Sequence, residues 1–163
     1  RGTFRGCDFS DAKWVGIDFV DCCFESCNLS MVQPSHCGLK TVAFVDCKLV
    51  GVDFAKCASF AFAVSFERCN LDFAGFVKAP LSKTTFARCS IREASFREAD
   101  LTRARFEECD LTGAVFDRTK LEHADLRGAR GYSIDPERNR VAKAKFSRDG
   151  LAGLLGKYGI VVD

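Results

Sequence analysis

A five-residue repeat constrains this chain more than any other feature of its sequence. Between residues 99 and 126 a Leu or Phe stands at every fifth position, and a small residue stands two places before each one. Two residues that are two apart in an extended segment face the same side, so both can point inward. Neither an α-helix nor a flat strand repeats every five residues. The period predicts short extended segments that end at corners, and four corners would close a coil of twenty residues.

Stacked coils should place like residues above like residues, which tests the coil of twenty within the sequence. The repeat runs through both halves of the chain, and the two blocks differ in phase by two residues near residues 59–63. Only Pro34 and Ser59 interrupt the large residues before this slip. If the slip is a bulge, one side of the coil, the cysteine side, collects six thiols, and a neighbouring side collects six phenyl rings. The sequence therefore predicts an all-β solenoid over residues 1–131, with core columns Cys7, Cys27, Cys47, Cys69, Cys89, Cys109 and Phe4, Phe24, Phe44, Phe66, Phe86, Phe106.

Ten cysteines in 163 residues could indicate a secreted scaffold held by disulfides. Each column cysteine, however, occupies the small inward position, where Ala, Val or Thr stands elsewhere. Stacked neighbours with parallel Cβ vectors lie ~4.8 Å apart, which exceeds the Cβ separation of ~3.5–4.5 Å in a disulfide. We therefore expect reduced core thiols and a cytoplasmic protein. Cys23 falls one place later, so we expect it to point outward and to be the reactive thiol.

Residues 132–163 follow a different rhythm, and they are predicted to cap the open end of the solenoid. Apolar residues at i, i+3, i+4 and i+7 predict a short amphipathic α-helix over about residues 148–158, with Ser147 as its N-cap. A second copy of the chain could share this apolar surface, so we expect a homodimer. The candidate dimer interface comprises Leu151, Leu154, Leu155, Tyr158, Ile160, Val161 and Val162.

The chain offers few residues that could perform catalysis. The two histidines, His36 and His123, fall at outward positions several coils apart, and no phosphate loop, nucleophile elbow or metalloprotease motif is present. The net charge is only +2, and no apolar run approaches the ~20 residues of a transmembrane helix. We therefore expect no enzyme activity, no cofactor, no metal, no direct contact with nucleic acid and no membrane partner.

Two surface features are candidates for binding a partner. The cysteine side carries five acidic and two basic residues, a balance of −3. A straight rod with an acidic side can present regularly spaced negative charge as duplex DNA does, although ordinary solvated charge would give the same pattern. At the slip, the coil cannot bury every phenyl ring, so one ring is expected to turn inward and another to project. The candidate partner-binding residues are Asp8, Asp11, Asp72, Glu93, Asp110, Phe60, Phe62 and Phe73.

Units of the form A(D/N)LxX resemble the pentapeptide-repeat family, and this resemblance implies a right-handed quadrilateral β-helix. The segments "SFERCNL", "FARCSI", "ADLTRARF" and "GYSIDPERNRV" are similar to one subgroup of bacterial proteins. These proteins confer self-immunity or resistance to topoisomerase poisons, and they include the albicidin and microcin B17 immunity proteins and the Qnr proteins.

The resemblance implies a dimeric rod, joined at its C-terminal module, that engages DNA gyrase and relieves the poisoned cleavage complex. On this basis DNA gyrase is the expected partner, the acidic side is the DNA-like surface, and the compartment is the bacterial cytoplasm. The alternative is a rigid structural or adaptor protein with a partner other than gyrase. This alternative predicts no effect on gyrase and tolerance of charge reversal on the acidic side.

Overall fold

The computed structural model describes residues 2–162, which form an all-β solenoid closed at one end by 3₁₀ turns. A six-stranded parallel sheet has the order β1-β3-β5-β6-β7-β8, and a second parallel pair joins β2 to β4. The strands are β1 Gly2–Arg5, β2 Lys13–Val15, β3 Asp18–Glu25, β4 Gln33–Ser35, β5 Gly38–Val45, β6 Val64–Glu67, β7 Thr85–Ala87 and β8 Arg105–Glu107. The 3₁₀ helices are Phe54–Lys56, Leu151–Leu154 and Gly156–Tyr158.

The register of the parallel sheet confirms the coil of twenty residues. Phe4 pairs with Phe24 and Phe24 with Phe44, whereas Phe44 pairs with Phe66, two residues later than the regular spacing. The spacing of twenty then resumes between β6, β7 and β8. The two-residue slip is therefore absorbed within one coil, as the sequence predicts.

Left-handed corners explain why the period is five. Residues with φ between about +50° and +74° recur every fifth position along most of the chain. At one such corner Arg103 has φ 59°, and the Ala104 N–H donates to the Leu101 carbonyl oxygen at 2.9 Å, which is a type II turn. The Asp100 carboxylate accepts from the Thr102 N–H at 3.0 Å, so an Asp or Asn just before the large residue stabilises the turn.

Isolated parallel bridges complete four ladders, one on each side of the coil. The cysteine side, for example, carries bridges from Asp8 through Asn28 to Arg130, and the other three sides carry ladders offset by five residues. Pairing continues past residue 131, because Lys120 bridges to Arg140 and Asp125 to Lys145. The coil therefore extends beyond the limit at which the sequence repeat becomes indistinct.

Two stacks of phenyl rings fill the core. Within each stack, rings from successive coils lie nearly parallel with centroids 4.8–5.3 Å apart. Rings of the two stacks meet edge to face, as for Phe86 and Phe96 at 6.1 Å, which is a favourable arrangement of aromatic quadrupoles. On the other two sides of the coil, Leu and Ile occupy most of the large inward positions and are buried.

The column cysteines do more than fill space. The thiols of Cys27, Cys47 and Cys109 each donate to a phenylalanine carbonyl oxygen in the preceding coil at 3.3 Å. The Thr119 hydroxyl makes the equivalent bond to Phe96 at 2.8 Å on another side. A thiol or hydroxyl at the small inward position thus satisfies a buried carbonyl group. All ten cysteines are free thiols.

The α-helix predicted over residues 148–158 is wrong, because this segment forms two 3₁₀ helices instead. Glycines recur every third residue here, and each would cost an α-helix about 1 kcal/mol relative to alanine. Gly153 also lies against Tyr132, whose carbonyl oxygen would be 2.4 Å from a Cβ at residue 153. The Ile134 N–H donates to the Gly153 carbonyl at 2.9 Å, so the turn is fastened to the last coil. A three-residue spacing suits the 3₁₀ period.

Candidate partner-binding surface

The five acidic residues fall into two groups along the cysteine side. Asp8 and Asp11 belong to the first coil, and Asp72, Glu93 and Asp110 lie three to five coils later. Asp11 and Glu93 both occupy left-handed corners of the same edge. Asp8 and Asp110 occupy bridge positions of one ladder. Asp72, Glu93 and Asp110 therefore lie in three successive coils, and at least three coils separate them from Asp8 and Asp11.

Hydrogen bonds engage three of the carboxylates on this side, those of Asp8, Asp72 and Asp110. Hydrogen bonding with Ser10 lowers the pKa of Asp8. Hydrogen bonding with Thr112, and then the Arg130 guanidinium, lower the pKa of Asp110. The Asp72 carboxylate accepts from the Ser90 hydroxyl at 2.6 Å and from the Arg92 N–H at 2.9 Å.

Arginine side chains interleave with these carboxylates, which summing the charge by side did not reveal. Arg130 forms an ion pair with Asp110 at 3.2 Å. Among residues 2–162, the other four candidate carboxylates make no ion pair. A shallow hollow of about 640 Å³ next to Asp110 is lined by Arg88, Cys89, Ser90, Arg92, Glu108, Asp110, Gly128 and Arg130. Residues 110 and 130 are twenty residues apart, which is one coil, so residue 130 stacks on residue 110. This spacing is the feature of the sequence that identifies Arg130 as a partner of Asp110.

The aromatic residues at the slip separate into an inward and an outward ring. Phe62 is half-buried against the core, whereas Phe60 is 81% exposed, with the Lys40 ammonium 6.0 Å from its ring centroid. Phe73 is 64% exposed at the same edge as Glu93. Met31, which the sequence did not single out, stands two coils before Phe73 on this edge and is also exposed.

The C-terminal candidates are mostly exposed, with one exception. Leu154 packs against the last coil of the core, so it belongs to the cap of the solenoid. The exposed residues lie within one twelve-residue segment of the chain and comprise Leu151, Leu155, Tyr158, Ile160, Val161 and Val162.

The remaining chemistry of the surface is modest. Cys23 is half-buried, and burial together with the neighbouring Glu25 raises its pKa, which opposes the reactivity expected of it. Within residues 2–162, no three His, Cys, Asp or Glu side chains are grouped to hold a metal ion. No helix in this part of the chain has the length and hydropathy that a bilayer crossing requires.

Comparison with known proteins agrees with this architecture. The family model described as a pentapeptide repeat region matches residues 1–76 and 59–131. Two solved structures of trypsin-treated variants of QnrB1, a plasmid-mediated fluoroquinolone resistance protein, share the fold with TM-scores of 0.57 and 0.54. Each is 24% identical to this chain, and the alignments cover 99% of it and 88% and 87% of the QnrB1 chains. No curated protein sequence matches the chain.

Proposed function

Because this chain belongs to the pentapeptide-repeat family, we propose that it is a non-enzymatic protein that binds DNA gyrase and protects it from a topoisomerase poison. The observation that carries the proposal is a set of four carboxylates on the cysteine side that have no basic partner within ion-pair distance among residues 2–162: Asp8, Asp11, Asp72 and Glu93. The fold that the chain shares with QnrB1, a fluoroquinolone resistance protein, supports the same assignment.

The proposed contact is electrostatic. A protein surface that binds DNA is basic, because it must neutralise phosphates. The rungs of the solenoid repeat every ~4.8 Å, so the cysteine side offers carboxylates to such a surface at multiples of this step along the axis. Binding would release counterions and would therefore weaken as salt increases. The exposed rings of Phe60 and Phe73 would add apolar contacts at the same partner.

We also propose that two copies join at their C-terminal ends. Among residues 2–162, six of the twelve exposed large apolar side chains lie in residues 151–162, and the next largest group is the three of Val15, Ile17 and Val20. Apolar surface of this kind is removed from water when a second copy covers it. The dimer would be a longer rod with the gyrase-binding side present in each protomer. The bacterial cytoplasm, where gyrase acts, is the proposed compartment.

A rigid adaptor is the second candidate, and the arginines around Asp110 favour it. The hollow lined by Arg88, Arg92 and Arg130 makes the later part of the cysteine side mixed in charge, unlike a duplex. An adaptor would use this mixed surface, and Phe73 beside it, to bind a protein other than gyrase. It would have no effect on gyrase reactions with or without a poison.

Binding of purified gyrase to the immobilised full chain tests the contact surface. We expect the double variant Asp11→Lys/Glu93→Lys to lose at least tenfold in affinity, because it reverses charge at the proposed contact. Lysine already occupies left-handed corners at Lys78, Lys83 and Lys143, so the fold accepts it at corners.

The matched control is Glu98→Lys/Asp149→Lys, which changes the net charge equally at exposed or half-buried sites away from the cysteine side. It should bind gyrase within about twofold of the unaltered protein. Equal loss in both variants would mean that total charge alone governs the contact. Unaltered affinity in the Asp11→Lys/Glu93→Lys variant would show that the acidic side does not contact gyrase.

Sedimentation equilibrium tests the dimer. Leu155→Asp/Tyr158→Asp should sediment as a monomer, because both side chains are exposed at the proposed interface. Val20→Asp removes an exposed apolar side chain from the first coils and should leave the dimer intact. A monomeric unaltered protein at micromolar concentration would contradict this part of the proposal.

A further inference from the structure

One edge of the solenoid differs from the other three in the residues at its corners. After the slip, the corners of three edges carry unlike residues, such as Lys78, Glu98 and Arg118 on one of them. The fourth edge carries only basic residue types. We call it the basic edge, and its corners are Lys83, Arg103, His123 and Lys143.

These four corners are stacked in register. Their φ angles are 63°, 59°, 59° and 58°, so the side chains leave the backbone in a common direction. The Lys83 N–H donates to the Thr102 carbonyl, and the Arg103 N–H to the Glu122 carbonyl, each at 2.9 Å. One coil separates successive corners, so the four Cα atoms follow a straight line with steps of ~4.8 Å.

The charges along the basic edge are not neutralised. Lys83, Arg103 and Lys143 are exposed, and none makes an ion pair within residues 2–162. By contrast, the corner arginines Arg88 and Arg118 on other edges each pair with a carboxylate.

Residues that flank the basic edge reinforce its charge. The bridge positions beside it carry Asp100, Lys120 and Arg140 on one side and Arg105, Asp125 and Lys145 on the other, so basic residues outnumber acidic ones. Arg105 pairs with Glu107 at 2.7 Å, whereas Lys120 and Lys145 make no ion pair within residues 2–162. The carboxylates nearby are largely engaged, because Asp125 pairs with Arg127 at 2.7 Å and Glu122 lies 4.0 Å from Arg140.

We propose that the basic edge binds the phosphate backbone of double-stranded DNA without reading its sequence. A duplex carries one negative charge per ~1.7 Å of its axis, and a straight row of unpaired cations can contact several phosphates at once. The edge is convex, and its corners carry no Phe, Tyr or Trp side chain and only one imidazole, that of His123, so they do not form a row of rings on which successive unpaired bases could stack; backbone contact with a duplex is therefore favoured over single strands.

This surface was hidden by the total charge of the chain. A net charge of +2 suggests no contact with nucleic acid, but it averages a basic edge with the acidic cysteine side. The two lie apart, because the basic edge is diagonally opposite the edge that carries Asp11 and Glu93. The inference stands independently of any contact with gyrase.

Fluorescence anisotropy with a labelled 20-base-pair duplex of arbitrary sequence, and no other protein, tests the proposal. We expect weak binding at 50 mM KCl, with a dissociation constant of about 10⁻⁶ to 10⁻⁴ M. Three phosphate contacts would give a logarithmic salt slope of about −2.7, so that 200 mM KCl would lower the affinity about 40-fold.

Two triple variants separate the edge from total charge. Lys83→Gln/Arg103→Gln/Lys143→Gln should abolish measurable binding. The control Lys48→Gln/Lys78→Gln/Arg92→Gln removes the same charge at exposed residues without ion pairs on other sides, and it should bind within about threefold of the unaltered protein. Far-UV circular dichroism checks the fold of each. If the first triple variant unfolds, Arg103→Gln and Lys143→Gln alone should each flatten the slope by about 0.9.

Three results would overturn the proposal. These are no binding of the duplex at 50 mM KCl, equal loss in the two triple variants, and competition by polyglutamate as effective as that by unlabelled duplex at equal charge. The last result would assign the edge to an acidic protein.

Discussion

The first coil and the coils after the slip have the same backbone register but differ in how well their side chains pack. After the slip, Phe66, Phe86 and Phe106 stack at 4.9–5.2 Å and are at most 1% exposed. In the first coil, Phe4 and Phe19 are only half-buried. Yet the longest strands, β3 and β5, lie before the slip.

A break in one stack accounts for part of this difference. Pro34 stands where the later coils carry Phe on the same side, and it borders an apolar void of about 10 Å³ between Trp14 and Phe54. Backbone pairing thus continues where side-chain stacking is interrupted. The corners and ladders therefore define the coil, and the repetition of identical side chains determines how tightly the core packs.

The largest expected effect is the loss of a ring from the continuous stack. Phe86→Ala should lower the free energy of unfolding by about 3–5 kcal/mol, because a fully buried ring is replaced by a cavity. Phe4→Ala, at a half-buried ring of the same column, should lose less than half as much. Urea denaturation measures both, and equal losses would show that the two regions pack alike.

A buried hydrogen bond in the later coils has the next largest effect. Thr119→Val should lower the free energy of unfolding by about 0.5–1.5 kcal/mol, because the buried Phe96 carbonyl loses its 2.8 Å bond and keeps only the 3.0 Å bond from the Ala99 N–H. Thr119→Ser keeps the hydroxyl donor and should retain more stability than the valine variant. The reverse order in thermal denaturation would mean that volume, and not the hydrogen bond, decides this position.

Filling the void before the slip should have a smaller effect of opposite sign. Pro34→Leu should raise the free energy of unfolding by about 0.5–1 kcal/mol, because it adds apolar volume next to the void. The matched change Phe54→Leu, at a stacked ring on the same side, should destabilise the protein. A destabilising Pro34→Leu would show that the rigidity of proline contributes more to the free energy of unfolding than the added apolar contacts do.

The smallest expected effect is on the stability of the protein at acidic pH. The folded state lowers the pKa of Asp110 below its ordinary 3.8, first through Thr112 and then through Arg130. A lowered folded pKa contributes stability above the unfolded value, and this is lost as pH falls through the folded pKa. The unfolding midpoint should therefore decrease below about pH 4, and Asp110→Asn should flatten that decrease slightly. A midpoint that rises on acidification would contradict the direction of the shift.

The sequence predicts the coil because the five-residue period of its side chains follows directly from a corner at every fifth residue. The same reasoning locates the slip between Phe44 and Phe66, since two residues must be accommodated to keep the columns aligned. The predicted C-terminal α-helix is wrong because the apolar spacing coincides with glycines at every third residue, which favour 3₁₀ turns. Spacing alone could not reveal the contact of Gly153 with Tyr132.

The candidate surface is less predictable than the fold. A sum of charges over one side of the coil combines residues from different coils and different edges. Such a sum therefore shows neither the ion pair of Arg130 with Asp110 nor the basic edge from Lys83 to Lys143. The acidic surface, the exposed Phe60 and the C-terminal interface stay predictions, because which side a partner contacts depends on that partner.

Supercoiling by DNA gyrase, measured across a titration of this protein with and without a cleavage-stabilising poison, tests the central claim most directly. We expect the protein to restore supercoiling in the presence of the poison and the variant Asp11→Lys/Glu93→Lys to fail to do so. Absence of rescue with every poison tested, together with no inhibition when the poison is omitted, would contradict the claim and favour an adaptor with another partner.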